Sequence, residues 1–370
     1  MENVSAAFQF AYVGCRTSVK RHARGKGISI YQIEKDGTWN LKKIVPAESP
    51  SFLTLDHTKR FLYAVHGDTF DTSAYQIASD GSLLFLNSVS AQGKNPVYCT
   101  VSKNNNYLFV ATLQGGTVTT LPILPDGSLG DAVHIYHLEG LPEKGPSYAH
   151  QCELDRSGEY LLVPTQSRGV GYERVWVFKV NNESGRLEKV CVSAARKFDE
   201  PRHLAFSPDN HFVYLVNERG NSIRTFTFDD SNGSIQPIQV KETLPETYVA
   251  PAMASEIAVR EDGKYTYVSN RVHEGMETSP EEAYAQEHEK ETIVRFENDQ
   301  KTGFLKDPIY VYCEGKTPRF MTIMPDGRQL IVANMDSDTL KFFDITEQYG
   351  IPHYTGQTVV TGSPCSIVFR

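Results

Sequence analysis

The chain predicts an all-β, seven-bladed β-propeller with four antiparallel strands per blade, and three patterns carry that prediction. The first is a recurring hairpin. Aligned on the last apolar residue of its first strand, the copies fall at Leu55, Val101, Leu154, Phe206, Val259, Ile323 and Phe369. Six residues after each of the first six, a second strand starts, at Phe61, Tyr107, Tyr160, Phe212, Tyr265 and Gln329. The second pattern is a glycine series, Gly37, Gly81, Gly127, Gly185, Gly233, Gly303 and Gly350, which reads as the turn of an outer hairpin in each unit. The third is a strand without a local partner at each end, Phe8 to Gly14 and Ser366 to Phe369. Pairing those two closes the ring and hides both edges.

Propellers grow by radial repetition, so 370 residues make a single domain spanning 1–370. A net charge of −8 argues against nucleic acid as a partner. The six cysteines form no C-x-x-C pair and mostly sit in apparent strands, so they read as small buried hydrophobes of a reducing compartment. Neither a metal nor a cofactor is expected. Glu2 and the lack of a long apolar run leave no visible signal peptide or membrane span, which predicts a cytoplasmic protein without membrane contact. A monomer and a homodimer stay equally open.

Along the chain, Phe8 to Gly14 is followed by a basic loop, Lys20 to Lys26 (KRHARGK). Its alternatives are a solvated loop and a phosphate or carboxylate contact. The hairpin EPRHLAFSPDNHFVYLVNERGN shows the unit most clearly. Leu204 to Phe206 is a short apolar strand, Ser207-Pro-Asp-Asn a tight turn, and Phe212 to Val216 a β-branched and aromatic strand. One unit departs from the rest: a long acidic segment separates Asn270 from the strand near Thr292. There Ser279-Pro-Glu-Glu282 is a capping box with Pro at the first helical position, predicting a helical insert over about 275–291. Two readings of it stay open, a lid over a site and a solvated or dimer-forming excursion.

Because the units repeat, equivalent positions can be compared within this one sequence. The residue opening each first strand is Ser51, Val97, His150, Arg202, Ser255, Arg319 or Cys365. Those closing the second strands are His66, Thr112, Thr165, Asn217, Asn270 and Asn334, followed by Gly67, Leu113, Gln166, Glu218, Arg271 and Met335. First strands line a propeller's central channel and hairpin ends share a face, so both sets are expected at one channel mouth. His150, Arg202, Glu218, Arg271, Arg319 and His66 would then converge, titratable groups of both signs in one concavity. Asn217 and Asn270 would add substrate-binding amides. A solvated ion-pair ring plugging the channel is the bland alternative. Three arginines against one clear carboxylate weigh against it, because a positive surplus suits an anionic ligand. No G-x-S-x-G supports a serine nucleophile, and one carboxylate is too few for a hard cation.

The hairpins EPRHLAFSPDNHFVYLVNE, ASEIAVREDGKYTYVSNR and TPRFMTIMPDGRQLIVANMDSDTL resemble the seven-bladed propeller lactonase family over essentially the whole chain. That family includes a bacterial 6-phosphogluconolactonase and the fungal 3-carboxy-cis,cis-muconate lactonizing enzyme. The resemblance implies that His150, Arg202, Glu218 and Arg271 match the polar residues assigned to the family's active site. Two motifs depart from it: the usual S-P-H-x-H is here Pro146-Ser-Tyr-Ala-His150, and the usual A-N-Y is Ala111-Thr-Leu113.

Lactone hydrolysis needs a base for water, a donor for the oxyanion and anchors for a substrate anion. Glu218 or His150 would be the base, Arg271 or the other of those two the carbonyl-polarising group, and Arg202 with Arg319 the anchors. The expected activity is hydrolysis of a small anionic sugar-type lactone, in the manner of a 6-phosphogluconolactonase. A cycloisomerase acting on a carboxylate substrate would use the same residues. A non-catalytic interaction propeller stands third, because the chain has no WD dipeptide.

Overall fold

A computed structural model describes residues 9–272 and 290–370. Seven antiparallel sheets follow one another around a channel. Blade 1 starts with the inner strand Pro50–Leu55 and blade 2 with Pro96–Val101. Blade 4 starts with Pro201–Phe206, blade 5 with Ala252–Val259 and blade 6 with Pro318–Ile323. Blade 3 has a broken inner strand, Tyr148–Ala149 and Glu153–Leu154. Blade 7 pairs Pro364–Phe369 with Phe10–Cys15, so the first and last strands of the chain close the ring as expected. The closing strand lies slightly later than Phe8 to Gly14. The acidic insert expected over about 275–291 falls almost wholly on residues 273–289, outside the described residues.

Each blade buries both faces of its inner three strands, and the apolar side chains gather in seven clusters, one per blade–blade interface. The two sequence series meet at these interfaces. All seven outer-turn glycines have positive φ, from 59 to 86°, a region open to glycine at little cost. Six of them also lie flat on the aromatic ring that opens the second strand of the preceding blade. A Cβ on Gly127 would stand 2.1 Å from Phe61, one on Gly185 2.9 Å from Tyr107, and one on Gly303 2.3 Å from Phe212. Tyr12, Tyr63 and Tyr267 add hydroxyl bonds to the carbonyls of Gly81, Gly127 and Gly350 at 2.9, 3.2 and 2.8 Å. Gly37 faces open space. Its counterpart in the preceding blade is Gln329, the second strand that lacks an opening aromatic.

At the channel mouth every blade breaks its ladder. Register shifts fall between Pro50 and Phe52, Pro96 and Tyr98, Pro201 and Leu204, Ala254 and Ile257, and Pro318 and Phe320. Blade 3 is interrupted at His150 to Cys152, and blade 7 skips Cys365. Ser51, Val97, His150, Arg202, Ser255, Arg319 and Cys365 therefore occupy bulges or gaps instead of opening their strands. In five blades the strand opens one residue earlier, on a proline. A bulge leaves a residue out of the ladder and re-aims its side chain.

Candidate active site

Glu218 anchors the mouth. It follows the second strand of blade 4, Phe212–Asn217, and is almost fully buried. Its Oε1 accepts from Arg271, and Oε2 from Gln166 (2.5 Å) and Arg168 (2.9 Å); Arg202 Nε stands 3.9 Å from Oε1. Burial pushes this carboxyl up, but Arg271, Arg168 and Arg202 together with Gln166 outweigh it and hold the pKa at about 2. A carboxylate so weakly basic, with both oxygens occupied, is a poor proton acceptor.

His150 lies in the gap of blade 3's inner strand, with Nδ1 buried and without a hydrogen-bond partner among the described residues. Burial first, then Arg202, His203, Arg319 and Arg168, push its pKa well below the usual imidazole range, so the ring is neutral at pH 7. Its ring meets that of His203 edge-on at 5.0 Å. His203 in turn donates from Nδ1 to Glu256 Oε1 at 2.7 Å.

Arg202 is 2% exposed and donates to the Ser255 carbonyl at 2.6 Å. Burial, with Arg271 beside it, lowers its pKa to about 9. The Nε atoms of Arg202 and Arg271 are occluded and make no hydrogen bond among the described residues. The half-buried Arg319 has no hydrogen-bond or ion-pair partner for its guanidinium among the described residues. The solvated ion-pair ring is thus half right. Glu218 is spent on ion pairs, but they are buried, and guanidinium capacity is left over.

Three expected site residues stand outside this network. His66 bonds the Glu48 carbonyl (2.6 Å) and Ser73 Oγ (2.7 Å), facing strand neighbours within blade 1. The Asn217 amide donates to Ser222 Oγ at 3.0 Å. That of Asn270 donates to the Thr243 carbonyl at 2.7 Å. These side chains brace strand ends and loops. Conversely, sequence reasoning passed over Arg168 and Arg16. Arg168 sits in an irregular loop with φ 43°, which no repeat marks. Arg16 was findable, because Phe10–Cys15 is blade 7's second strand: Cys15 pairs with Pro364 as Asn217 pairs with Pro201. Arg16 therefore holds the position of Glu218 and Arg271. The basic loop also reaches the mouth, where Arg21 grips Asp68 with two bonds (2.6 and 2.5 Å) and Arg24 binds Asp338 (2.5 Å).

Below this layer the next residues of the inner strands form a floor. Phe52 lies tilted against Tyr98 at 3.9 Å and meets Phe320 at 6.2 Å, while Tyr98 meets His203 at 5.5 Å. Beneath it a cavity of about 780 Å³ opens toward the opposite face, lined among others by Gln151, Glu153 and Glu256. The charged cluster lies on the mouth side of the floor. No helix among the described residues is long and apolar enough to cross a membrane.

Comparison with known proteins agrees with this picture. A family model described as lactonase, 7-bladed beta-propeller, matches residues 10–369. A 6-phosphogluconolactonase of Bacillus subtilis (strain 168) is 24% identical over 364 residues, 97% of each chain. One of Klebsiella pneumoniae (strain 342) is 24% identical over 92% of this chain and 95% of its own. The structure of a periplasmic gluconolactonase of Pseudomonas aeruginosa superposes with TM-score 0.82 at 26% identity, covering 97% of this chain and 98% of that one.

Proposed function

The chain belongs to the seven-bladed β-propeller lactonase family, and from that premise we propose that it hydrolyses a small anionic sugar-type lactone at the charged channel mouth. The observation that carries this reading is a neutral, buried histidine with a free ring nitrogen beside guanidiniums left only partly neutralised. His150 takes a proton from water as the water oxygen attacks the lactone carbonyl carbon. Negative charge then grows on the carbonyl oxygen, where Arg271 receives it. The ring C–O bond breaks, the departing oxygen takes the proton back from His150, and an open hydroxy acid leaves. Arg202 and Glu218 are positioning residues: the carboxylate collects Arg271, Arg168 and Arg202 into one array, and Arg202 ties it to the Ser255 carbonyl. Arg319, whose guanidinium has no partner among the described residues, is available for the substrate's anionic group.

The test follows acid release from glucono-1,5-lactone and its 6-phosphate against their spontaneous opening. Catalysis of at least one is expected, with the acid limb of kcat/KM below pH 6.5, because the base is a histidine whose pKa is lowered. His150→Gln should cost about 100-fold or more in kcat. Lactones that open only at the uncatalysed rate, with 3-carboxy-cis,cis-muconate cyclised instead, would replace hydrolysis with the cycloisomerase reading.

A further inference from the structure

Resting on the reading of His150 as the base, we infer that His203 and Glu256 are its positioning residues, joined to it as a Glu256–His203–His150 chain across three blades. The chain fixes which nitrogen of His150 meets the water and offsets the charge that arrives there.

The three residues come from the irregular stretches of consecutive inner strands. His150 occupies the gap of blade 3, His203 the bulge of blade 4 and Glu256 the bulge of blade 5. All three are buried. At floor level, blades 1, 2 and 6 present the rings of Phe52, Tyr98 and Phe320, whereas blades 4 and 5 present an imidazole and a carboxylate. Glu256 is held in place, because Oε1 accepts from the Ile257 amide at 3.1 Å as well as from His203 Nδ1. Tyr98, which meets the His203 ring, is itself tied through its hydroxyl to Glu153 at 2.6 Å.

The hydrogen count then assigns the tautomers. Two lone pairs would repel at the 2.7 Å between His203 Nδ1 and Glu256, so Nδ1 carries the proton. Arg202 Nη1 lies 3.3 Å from the same nitrogen but donates to the Ser255 carbonyl. Burial lowers the His203 pKa despite Glu256, leaving the ring neutral with Nε2 a bare acceptor. That Nε2 is occluded and unpartnered among the described residues, and so is His150 Nδ1. A buried acceptor and a nitrogen able to donate thus stand on neighbouring rings, whose centres are 5.0 Å apart. An N–H···N bond of about 3 Å, with each nitrogen about 1.1 Å from its ring centre, sets the centres about 5 Å apart. A turn of the rings makes the bond, and such contacts tighten as substrate binds.

With Nδ1 donating to His203, His150 turns the lone pair of Nε2 to the attacking water. The proton taken from water makes His150 an imidazolium, a stronger donor whose charge Glu256 offsets through His203. That proton stays on Nε2 until the departing lactone oxygen takes it. Arg202, Arg319 and Arg168 face His150 as cations. Glu218 is engaged by Arg271, Arg168 and Arg202, and His203 links the base to a second carboxylate.

Glu256→Gln keeps the side chain's size and removes its charge. For the lactone that the wild type opens, it should lower kcat about 10- to 100-fold, part of a general base's full contribution, with KM little changed. The acid limb of kcat/KM should move to lower pH, because losing the anion disfavours the imidazolium. His203→Gln retains a donor for Glu256 and an acceptor for His150, so it should stay about tenfold or more above His203→Phe, which retains neither. A kcat for Glu256→Gln within about twofold of wild type, or a fall with the acid limb unmoved, overturns the chain and leaves the pair a brace between blades. Equal activities in the two His203 variants overturn it as well. Should His203→Phe not fold, Glu256→Gln decides alone. Heteronuclear NMR of the imidazole nitrogens separates this inference from the reading it rests on. If the wild type opens no lactone, that reading fails, yet His150 protonated on Nδ1 and titrating at lower pH in Glu256→Gln still supports the chain. Protonation on Nε2, or identical titration in both proteins, refutes it.

Discussion

Glu218 gathers Arg168, Arg202 and Arg271 around two oxygens, so its removal has consequences beyond catalysis. Its folded pKa of about 2 lies below the ordinary carboxyl value of 4.5. The stabilisation it contributes is therefore fully present above about pH 4.5 and is lost as the pH falls from there toward 2. A shift of this size corresponds to on the order of 3 kcal/mol, consistent with the cost of breaking a buried ion pair. Glu218→Gln should lose activity and also lower Tm at pH 7, by roughly 4 °C for a domain of this size. Between pH 5 and 3 its Tm should fall less steeply than that of the wild type. Thermal scans across that range check this; parallel curves would mean that the guanidiniums do not depend on the carboxylate. At this scale the sequence was legible in part. Aligned repeats placed Arg202, Glu218, Arg271 and Arg319 at one mouth because ring position follows from register. They could not tell which way a side chain turns at a bulge, so His66, Asn217 and Asn270 were grouped with residues they do not meet. Arg168 was hidden because a loop outside the repeat has no equivalents to compare.

An element here is a hairpin riveted to its neighbour, and the rivet explains why two apparently separate sequence series kept the same count. An opening aromatic in one blade needs a side-chain-free turn in the next; glycine supplies both the space and the positive φ. Gly127 and Gly37 separate these two demands, since their φ values are 84 and 86° but Gly127 covers Phe61 whereas Gly37 covers nothing within 4 Å. Gly37→Ala should cost about 1–2 kcal/mol, for backbone strain alone. Gly127→Ala adds overpacking against the ring, roughly another 1–3 kcal/mol. Chemical denaturation of the two variants measures the difference, and equal losses would show that the aromatic contact is loose. Strand ends were legible for the same reason. The chosen last residues, from Leu55 to Phe369, are the observed ends of all seven inner strands. The six second-strand starts, from Phe61 to Gln329, were legible too; inner-strand starts were not, because in five blades the bulge after the opening proline breaks the alternation from which a start is read.

The whole molecule is a ring whose last blade is assembled from both ends of the chain, so its integrity depends on a single six-residue strand. Phe10–Cys15 pairs with Pro364–Phe369 on one side and with Gly27–Ile33 on the other. Its side chains divide between two interfaces: Ala11 and Val13 pack toward blade 6, Phe10 and Tyr12 toward blade 1. Phe10 is also the ring beneath Gly81, and the Tyr12 hydroxyl binds the Gly81 carbonyl. Removing the strand would therefore expose two β edges, undo one rivet and open two apolar clusters at once. It would also take away the strand that sets Arg16 at the mouth. Edges of this kind pair with other chains. A chain starting at Arg16 should aggregate on purification, and any soluble fraction should show lower Tm and slower lactone opening, although Arg16 itself is retained. Adding residues 1–15 back as a separate peptide should restore both properties if the strand docks by edge pairing. The readouts are light scattering, Tm and the rate of lactone opening with and without the peptide. A truncated protein that is soluble, as stable as the full chain and unchanged in lactone opening would mean that the ring holds without its closing strand.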